Sequence, residues 1–228
     1  MLRSTNMSSA GTRPLRKDAE RNLRRILDAA KEVFATRGLA VTMDDVAHHA
    51  GVGVGTVYRR FANKDELIEA LFVEQIEALA ALAREGLAHD DAWEGFVFFM
   101  ESALDRQARD RALKELLFES GHGQERVAHA RETLAPVVTE LVERARASGQ
   151  MRADLDGPDT PVMQLMLATV VDFSRDVEPL LWRRFLAIVL EGLRARPGQE
   201  PLPVAPLDVE QLDVAMGAWR GTRPGAQR

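Results

Sequence analysis

The 228-residue chain contains no cysteine. That excludes disulfides and thiolate metal centres, and it fits a cytoplasmic protein, the location expected here. No run of 18 apolar residues is present, so no helix is expected to cross a membrane. The opening MLRSTNMSSAGTRPLRKDAERN lacks the apolar centre of a signal peptide. Hairpin dipeptides between alternating apolar runs are missing, as are internal repeats, so strands are not expected. There is no Gly-x-Ser-x-Gly, phosphate loop or dinucleotide fingerprint. Metal spacing is equally thin. His48 and His49 are neighbours, and adjacent helical positions point about 100° apart. Glu119 and His122 copy a Glu-x-x-His spacing, but a di-iron bundle needs two such copies plus further carboxylates. Neither enzymatic activity, a catalytic residue, a metal nor a cofactor is expected.

What remains is a chain able to build a core. It is 46% hydrophobic and 29% charged, with a mean hydropathy of -0.20, which places it among soluble globular proteins of one or two domains. The net charge of -5 looks wrong for a nucleic-acid partner, but its distribution matters more than its total. Residues 1–40 hold nine Lys/Arg and four Asp/Glu, a balance of +5; residues 76–228 hold 18 and 25, a balance of -7. A basic amino end on an acidic body suggests a DNA-facing domain joined to something else.

The apolar spacing is helical from end to end. A first helix runs from Asn22 to Thr36 with Ile26, Leu27, Ala30, Val33 and Phe34 on one stripe, and Gly38 stops it. Thr42 opens a second helix with Asp45 three residues on, close to a capping box; Val46, Ala47 and Ala50 line its inner face, and Gly51 ends it. A third spans about Val54–Phe61. A fourth starts at Asn63, with Glu66 as its box partner, and continues to about Glu85, long enough to link two domains. Further helices are expected near 91–108, 110–120, 124–148 (kinked at Pro136), 159–175 and 178–195. Residues 197–228 read as a Pro/Gly-rich tail with room for one short helix.

Two short helices joined at Gly51–Gly53 make a helix-turn-helix, whose second member enters the major groove, about 12 Å wide. Small Ala47 and Ala50 let the helices cross closely. Gly51 permits a left-handed turn. Gly53 and Gly55 leave the front of the second helix nearly bare, so that its N–H groups can meet a phosphate.

The run TMDDVAHHAGVGVGTVYRRFANKDEL resembles the amino-terminal signature of TetR-family transcriptional regulators: a threonine-capped helix, Ala-Gly-Val, Gly-Thr-(Leu/Val)-Tyr-x-x-Phe, then Lys-(Asp/Glu)-x-Leu. The likeness covers about residues 20–72. The rest is similar only in being helical and of suitable length. The resemblance implies phosphate contacts from Thr42, Thr56, Tyr58 and Lys64. It places Val54, Gly55 and Arg59 on the recognition helix, where base edges are reached. Two positions depart from the pattern: Gly53 replaces a frequent serine cap, and Arg60 replaces a frequent aromatic or histidine. Arg60 holds a phosphate or reaches guanine, and the residues do not choose between these.

The expected fold is therefore all-α. An amino-terminal three-helix helix-turn-helix domain (18–72) follows a flexible leader (1–17). A long helix joins it to a helical bundle (73–196) for effector binding and dimerisation, ahead of the 197–228 tail. The expected partners are a double-stranded DNA operator, a second copy of the chain and a small hydrophobic or amphipathic effector; no membrane is expected. Phe99, Ala103, Phe118, His122, Met166 and Phe173 are the candidate effector contacts, because aromatic and Met bulk exceeds what a small bundle needs. Helices 162–173 and 180–193 are apolar on two sides, and a two-fold partner is the economical cover. Leu167, Val170, Leu181, Phe185 and Ile188 are the candidate interface. The function expected is a ligand-released repressor acting as a dimer on a palindromic operator. The alternatives are an activator or effector-free regulator, and a helical carrier or enzyme with a vestigial helix-turn-helix.

Overall fold

The inward apolar faces of successive helices organise the chain into two cores. The computed structural model describes residues 12–37, 40–109 and 124–218. They form α1 (Thr12–Arg37), α2 (Met43–Ala50), α3 (Val54–Arg60), α4 (Lys64–Leu87), α5 (Ala92–Arg109), α6 (Gln124–Ala147), α7 (Asp159–Ser174), α8 (Leu181–Leu193) and α9 (Val209–Ala218). Among the described residues there is no strand, and one isolated antiparallel bridge joins Met151 to Arg194. Gly38, the helix expected near 110–120, Phe118 and His122 lie outside the described residues.

One boundary moves. α1 starts at Thr12 rather than Asn22, so the second part of the expected leader is helical. Residues 12–21 hold no glycine and are rich in Arg, Lys, Leu, Ala and Glu, all good helix formers. Pro14 falls in the first turn, where no N–H is needed. Apolar periodicity could not mark this start because residues 18–21 are exposed and have no core to face.

The first core joins Ile26, Ala30, Val33 and Phe34 of α1 to Val46, Ala47 and Ala50 of α2. Val57 of α3, Phe61, and Leu67, Ile68 and Leu71 of α4 complete it. The second joins Ala83 of α4 to Trp93, Phe96, Phe99 and Met100 of α5, Leu141 and Ala145 of α6, Leu167 of α7, and Trp182 and Leu186 of α8. α4 contributes to both, and at about 1.5 Å per residue it spans roughly 36 Å. It packs along α5 and α6 and touches α1, where Lys31 Nζ meets Glu74 Oε1 at 2.6 Å. α4 and α5 meet backbone to backbone: a Cβ added at Gly86 would stand 2.6 Å from the Gly95 carbonyl oxygen. Only glycine at both positions allows that approach.

The two apolar faces expected of α7 and α8 exist, but their assignment changes. Leu167 is 1% exposed and belongs to the second core of its own chain, so it is not an interface residue. Val170 packs against that core as well. Met166 and Phe173 are 51% and 83% exposed, so they cannot line an interior effector site. They share an outward stripe with Val162 on α7, beside the exposed Phe185 and Ile188 of α8 and the exposed Leu180 just ahead of it. Leu181 is half-buried at the start of α8. One residue of phase explains the exchange: Met166 and Leu167 are neighbours in sequence but point about 100° apart.

Candidate nucleic-acid interface

The first element of the site is the start of α2. Thr42 Oγ1 accepts from the Asp45 N–H at 3.2 Å, and Asp45 Oδ2 accepts from the Thr42 N–H at 2.9 Å, closing the expected capping box. The Thr42 hydroxyl donates to the same carboxylate at 2.7 Å, and Arg37 Nη1 donates to Asp45 Oδ1 at 2.9 Å. The Thr42 hydroxyl, its backbone N–H and Arg37 together pull the Asp45 carboxyl from 3.8 down to about 2. A depressed acid stabilises the fold above its unfolded value and loses that contribution as pH falls through the window from about 4 to about 2. The difference in melting temperature between wild type and Asp45→Asn should therefore shrink as the pH is lowered through that window. A gap that stays constant would show that the carboxylate charge contributes nothing.

The box also limits Thr42. Its one hydroxyl hydrogen is committed to Asp45. The N–H groups of Met43 and Asp44, in the first turn of α2, lack intrahelical partners by position. Asp44 and Asp45 put two carboxylates in that turn, whereas the first turn of α3 carries no acidic residue.

The turn is held from two sides. Gly51 adopts φ 62 and ψ 38; its N–H donates to His48 O at 3.1 Å, and the Val52 N–H donates to Ala47 O at 3.0 Å. This is a Schellman closure. From α1, Arg25 Nη2 donates to Ala50 O at 2.7 Å and to Gly51 O at 3.3 Å. The position favours glycine for its φ, and a Cβ there would stand 3.0 Å from that guanidinium, which would have to shift. Sequence reasoning missed Arg25, which lies 26 residues from the carbonyl of Gly51; no local pattern signals such a contact.

The recognition helix α3 presents most of its surface outward. Val57 is its buried residue, while Val54 and Tyr58 are 40% and 50% exposed and Gly55, Arg59 and Arg60 are also exposed. Gly53 supplies no side-chain cap, as expected from the missing serine. Thr56 is half-buried, with its N–H donating to Gly53 O at 2.7 Å. Arg59 lies back along its own helix, Nε donating to Gly55 O at 3.1 Å and Nη2 to Thr56 Oγ1 at 3.2 Å. Both contacts are solvent-exposed and cost little to break. Lys64 opens α4, its Nζ 5.9 Å from the Phe34 ring centre. The Asn63 side chain caps that helix by accepting from the Glu66 N–H at 2.9 Å, while the Glu66 carboxylate reaches Ala62 N, one residue before the expected partner. Three successive helix starts thus carry Thr42, Gly53–Thr56 and Lys64.

In the second core, Phe99 and Ala103 are fully buried. Beside them sits a buried amide: Gln164 Nε2 is 3.3 Å from Met100 O and 3.2 Å from Met100 Sδ, and its Oε1 is 3.5 Å from Gln107 Nε2. Thr160 Oγ1 is buried without a hydrogen-bond partner. These polar interior groups were not expected from the sequence. A single Gln or Thr inside an apolar stripe leaves the period intact and gives no warning of its burial.

Comparisons with known proteins agree with this geometry. The family model for bacterial regulatory proteins of the tetR family matches residues 26–71, and that for the C-terminal domain of SbtR-like transcriptional regulators matches residues 91–195. The HTH-type transcriptional regulator SrpR of Pseudomonas putida is 29% identical over 61% of this chain and 68% of its own length. The HTH-type transcriptional regulator TtgW, also of Pseudomonas putida and itself uncharacterized, is 30% identical over 50% of this chain and 85% of its own. Among solved structures, a TetR transcription regulatory protein from Mycobacterium vanbaalenii superposes with a TM-score of 0.63 at 31% identity, covering 80% of this chain and all 100% of that one. FadR from Bacillus subtilis, solved in complex with stearoyl-CoA, shares the fold with a TM-score of 0.61 at 19% identity, covering 75% of this chain and 98% of that one. The chain belongs to the TetR family of DNA-binding transcriptional regulators, with a helix-turn-helix at α2–α3 and a helical regulatory domain behind it.

Proposed function

We propose that this regulator is a ligand-released repressor working in the cytoplasm as a homodimer on a palindromic operator. Residues 18–72 read the DNA, residues 73–196 dimerise and take a small hydrophobic or amphipathic effector, and 197–228 form a tail that includes α9. The observation that carries the dimer is the outward apolar stripe of Val162, Met166, Phe173, Phe185 and Ile188. Isolated exposed apolar residues are ordinary, but a continuous row on two adjacent helices marks an interface. The observation that supports an effector is the pair Gln164 and Thr160, polar groups inside an apolar core, able to orient one polar end of an otherwise apolar ligand. Such a ligand releases DNA only if it favours one spacing of the two recognition helices over the other. α4 is the connector, since it enters both cores.

The test of the DNA edge separates two kinds of contact. Phosphate contacts set affinity and its salt dependence, whereas base contacts set sequence preference. Lys64→Ala and Tyr58→Phe should weaken binding to all sequences about alike. Arg59→Ala should blunt preference at one or two base pairs, by roughly 1–3 kcal/mol each. Selection of bound DNA from random sequence reads both outcomes, and an unchanged selected site for Arg59→Ala would defeat its base-reading role.

A further inference from the structure

We propose that Arg25 is a positioning residue for DNA recognition: it aims the recognition helix by holding two carbonyls of the turn that precedes it. The proposal rests on the DNA-binding reading of α2–α3 and adds a determinant from α1, outside the helix-turn-helix.

The need for such a residue arises in the turn. Gly51, Val52 and Gly53 separate the last residue of α2 from the first of α3. Two of these are glycines, which restrict the backbone least. Gly53 occupies the N-cap of α3 without a side-chain hydrogen bond, so no side chain at that position ties down the first turn of the helix. α3 itself is seven residues long, and Val57 is its buried residue. A short helix seated by one side chain can swing about it, so its direction has to come from the chain on either side. At the far end the buried Phe61 closes the helix, its N–H donating to Val57 O at 2.9 Å. At the near end the direction depends on the turn.

The Schellman closure settles part of that turn by sending the Gly51 and Val52 N–H groups back to His48 O and Ala47 O. The carbonyls of Ala50 and Gly51, at the negative end of α2, are left to other donors. Arg25 Nη2 supplies both, at 2.7 Å and 3.3 Å. These two carbonyls belong to the peptide planes on either side of Gly51. Adjacent planes turn relative to each other only through the φ and ψ of the residue between them. One nitrogen bridging both oxygens therefore holds Gly51 at φ 62 and ψ 38, the rotation that decides where α3 points. The latch has a firm base. Ile26 and Ala29, beside Arg25 on α1, are buried in the first core. Arg37 to Asp45 at 2.9 Å and Glu32 to His49 at 2.6 Å join α1 to α2 further along.

The experiment compares full-length wild type, Arg25→Ala, Gly53→Ser and the double variant, each well below its melting transition. Each is titrated with the operator that the wild type selects and with unrelated duplex. Arg25→Ala should lose about tenfold or more in operator affinity, the order of one hydrogen bond to a charged group. Its affinity for unrelated duplex and its salt slope should match the wild type, because no phosphate contact is lost. Gly53→Ser tests the cause. A Cβ at Gly53 would stand 3.9 Å from Thr56 Oγ1, an ordinary contact, so serine fits. Its hydroxyl would cap α3 and replace the missing restraint. Gly53→Ser should therefore raise operator affinity by a larger factor in the Arg25→Ala background than in wild type. Equal factors in the two backgrounds would overturn the proposal. So would an Arg25→Ala protein that melts earlier yet binds the operator as tightly as wild type once folded, since Arg25 would then serve stability alone. A salt slope flatter by about 0.9 per protomer, with unrelated duplex weakened alike, would make Arg25 a phosphate contact and overturn it too. A wild type that selects no DNA sequence at all would instead sink the DNA-binding reading itself, so the two failures are told apart.

Discussion

Ile188→Glu is expected to leave a folded monomer that no longer holds its operator. Ile188 is 57% exposed on α8, in line with Phe185 at 40%, and next to the α7 row of Val162, Met166 and Phe173. In an isolated chain a glutamate there stays in water and costs almost nothing. In a two-fold interface the same substitution buries a charge against apolar groups, and symmetry repeats it in the partner. An unpaired buried charge costs several kcal/mol, enough to separate the copies. A monomer then engages one half-site alone, and operator affinity should fall on the order of a thousandfold, because the two halves no longer bind as one unit. Light scattering and a gel shift read the two effects together. A wild type that is monomeric at micromolar concentration would remove the interface, and with it the palindromic operator.

The DNA-binding half was the more legible part of the sequence, because its determinants are local. Thr42 and Asp45, Asn63 and Glu66, and Gly51 act within five residues of their partners, so a motif of that length carries the whole signal. The bare start of α3 follows directly from Gly53 and Gly55. What the motif could not carry was long-range or non-apolar. The Arg25 latch joins segments far apart in the chain. Residues 18–21 of α1 are exposed, so a period of apolar residues had nothing to report ahead of Asn22. The commitment of the Thr42 hydroxyl to Asp45 also escaped, since a residue type shows which hydrogen bonds are available and not which one is made.

In the regulatory half the sequence located helices and showed that α7 and α8 are apolar on two sides, but it left their phase open. Periodicity says that two faces exist; only packing says which one looks inward. Trp182 and Leu186 decide it for α8, and Leu167 and Val171 for α7, by fitting against the aromatic residues of α5. Met166 and Phe173 were therefore left outside, where bulk read as effector-site lining becomes candidate interface. The buried Gln164 shows the same limit from the other side: its role depends on Met100, 64 positions away in the chain.

Leu167→Glu should have the opposite character to Ile188→Glu and should unfold the regulatory domain outright. Leu167 is 1% exposed within the core cluster that also holds Trp93, Phe96, Phe99, Leu141 and Trp182. Its buried members are apolar, and Arg183 and Arg194 lie against it over the rings of Trp182 and Trp93. A carboxylate forced there must either stay charged without a partner or take up a proton, and each course costs several kcal/mol. The loss of packing by the leucine adds to this. A typical domain has only about 5–15 kcal/mol in total, so the sum removes most or all of the stability. The expected readout is loss of the near-ultraviolet signal of buried Trp93 and Trp182, together with loss of a cooperative melting transition. Met166→Glu, one residue away on the outward stripe, is the control: it should keep that signal and the transition while weakening only the dimer. If Leu167→Glu were instead folded and monomeric, Leu167 would face the partner after all, and the inward and outward faces of α7 would have to be exchanged.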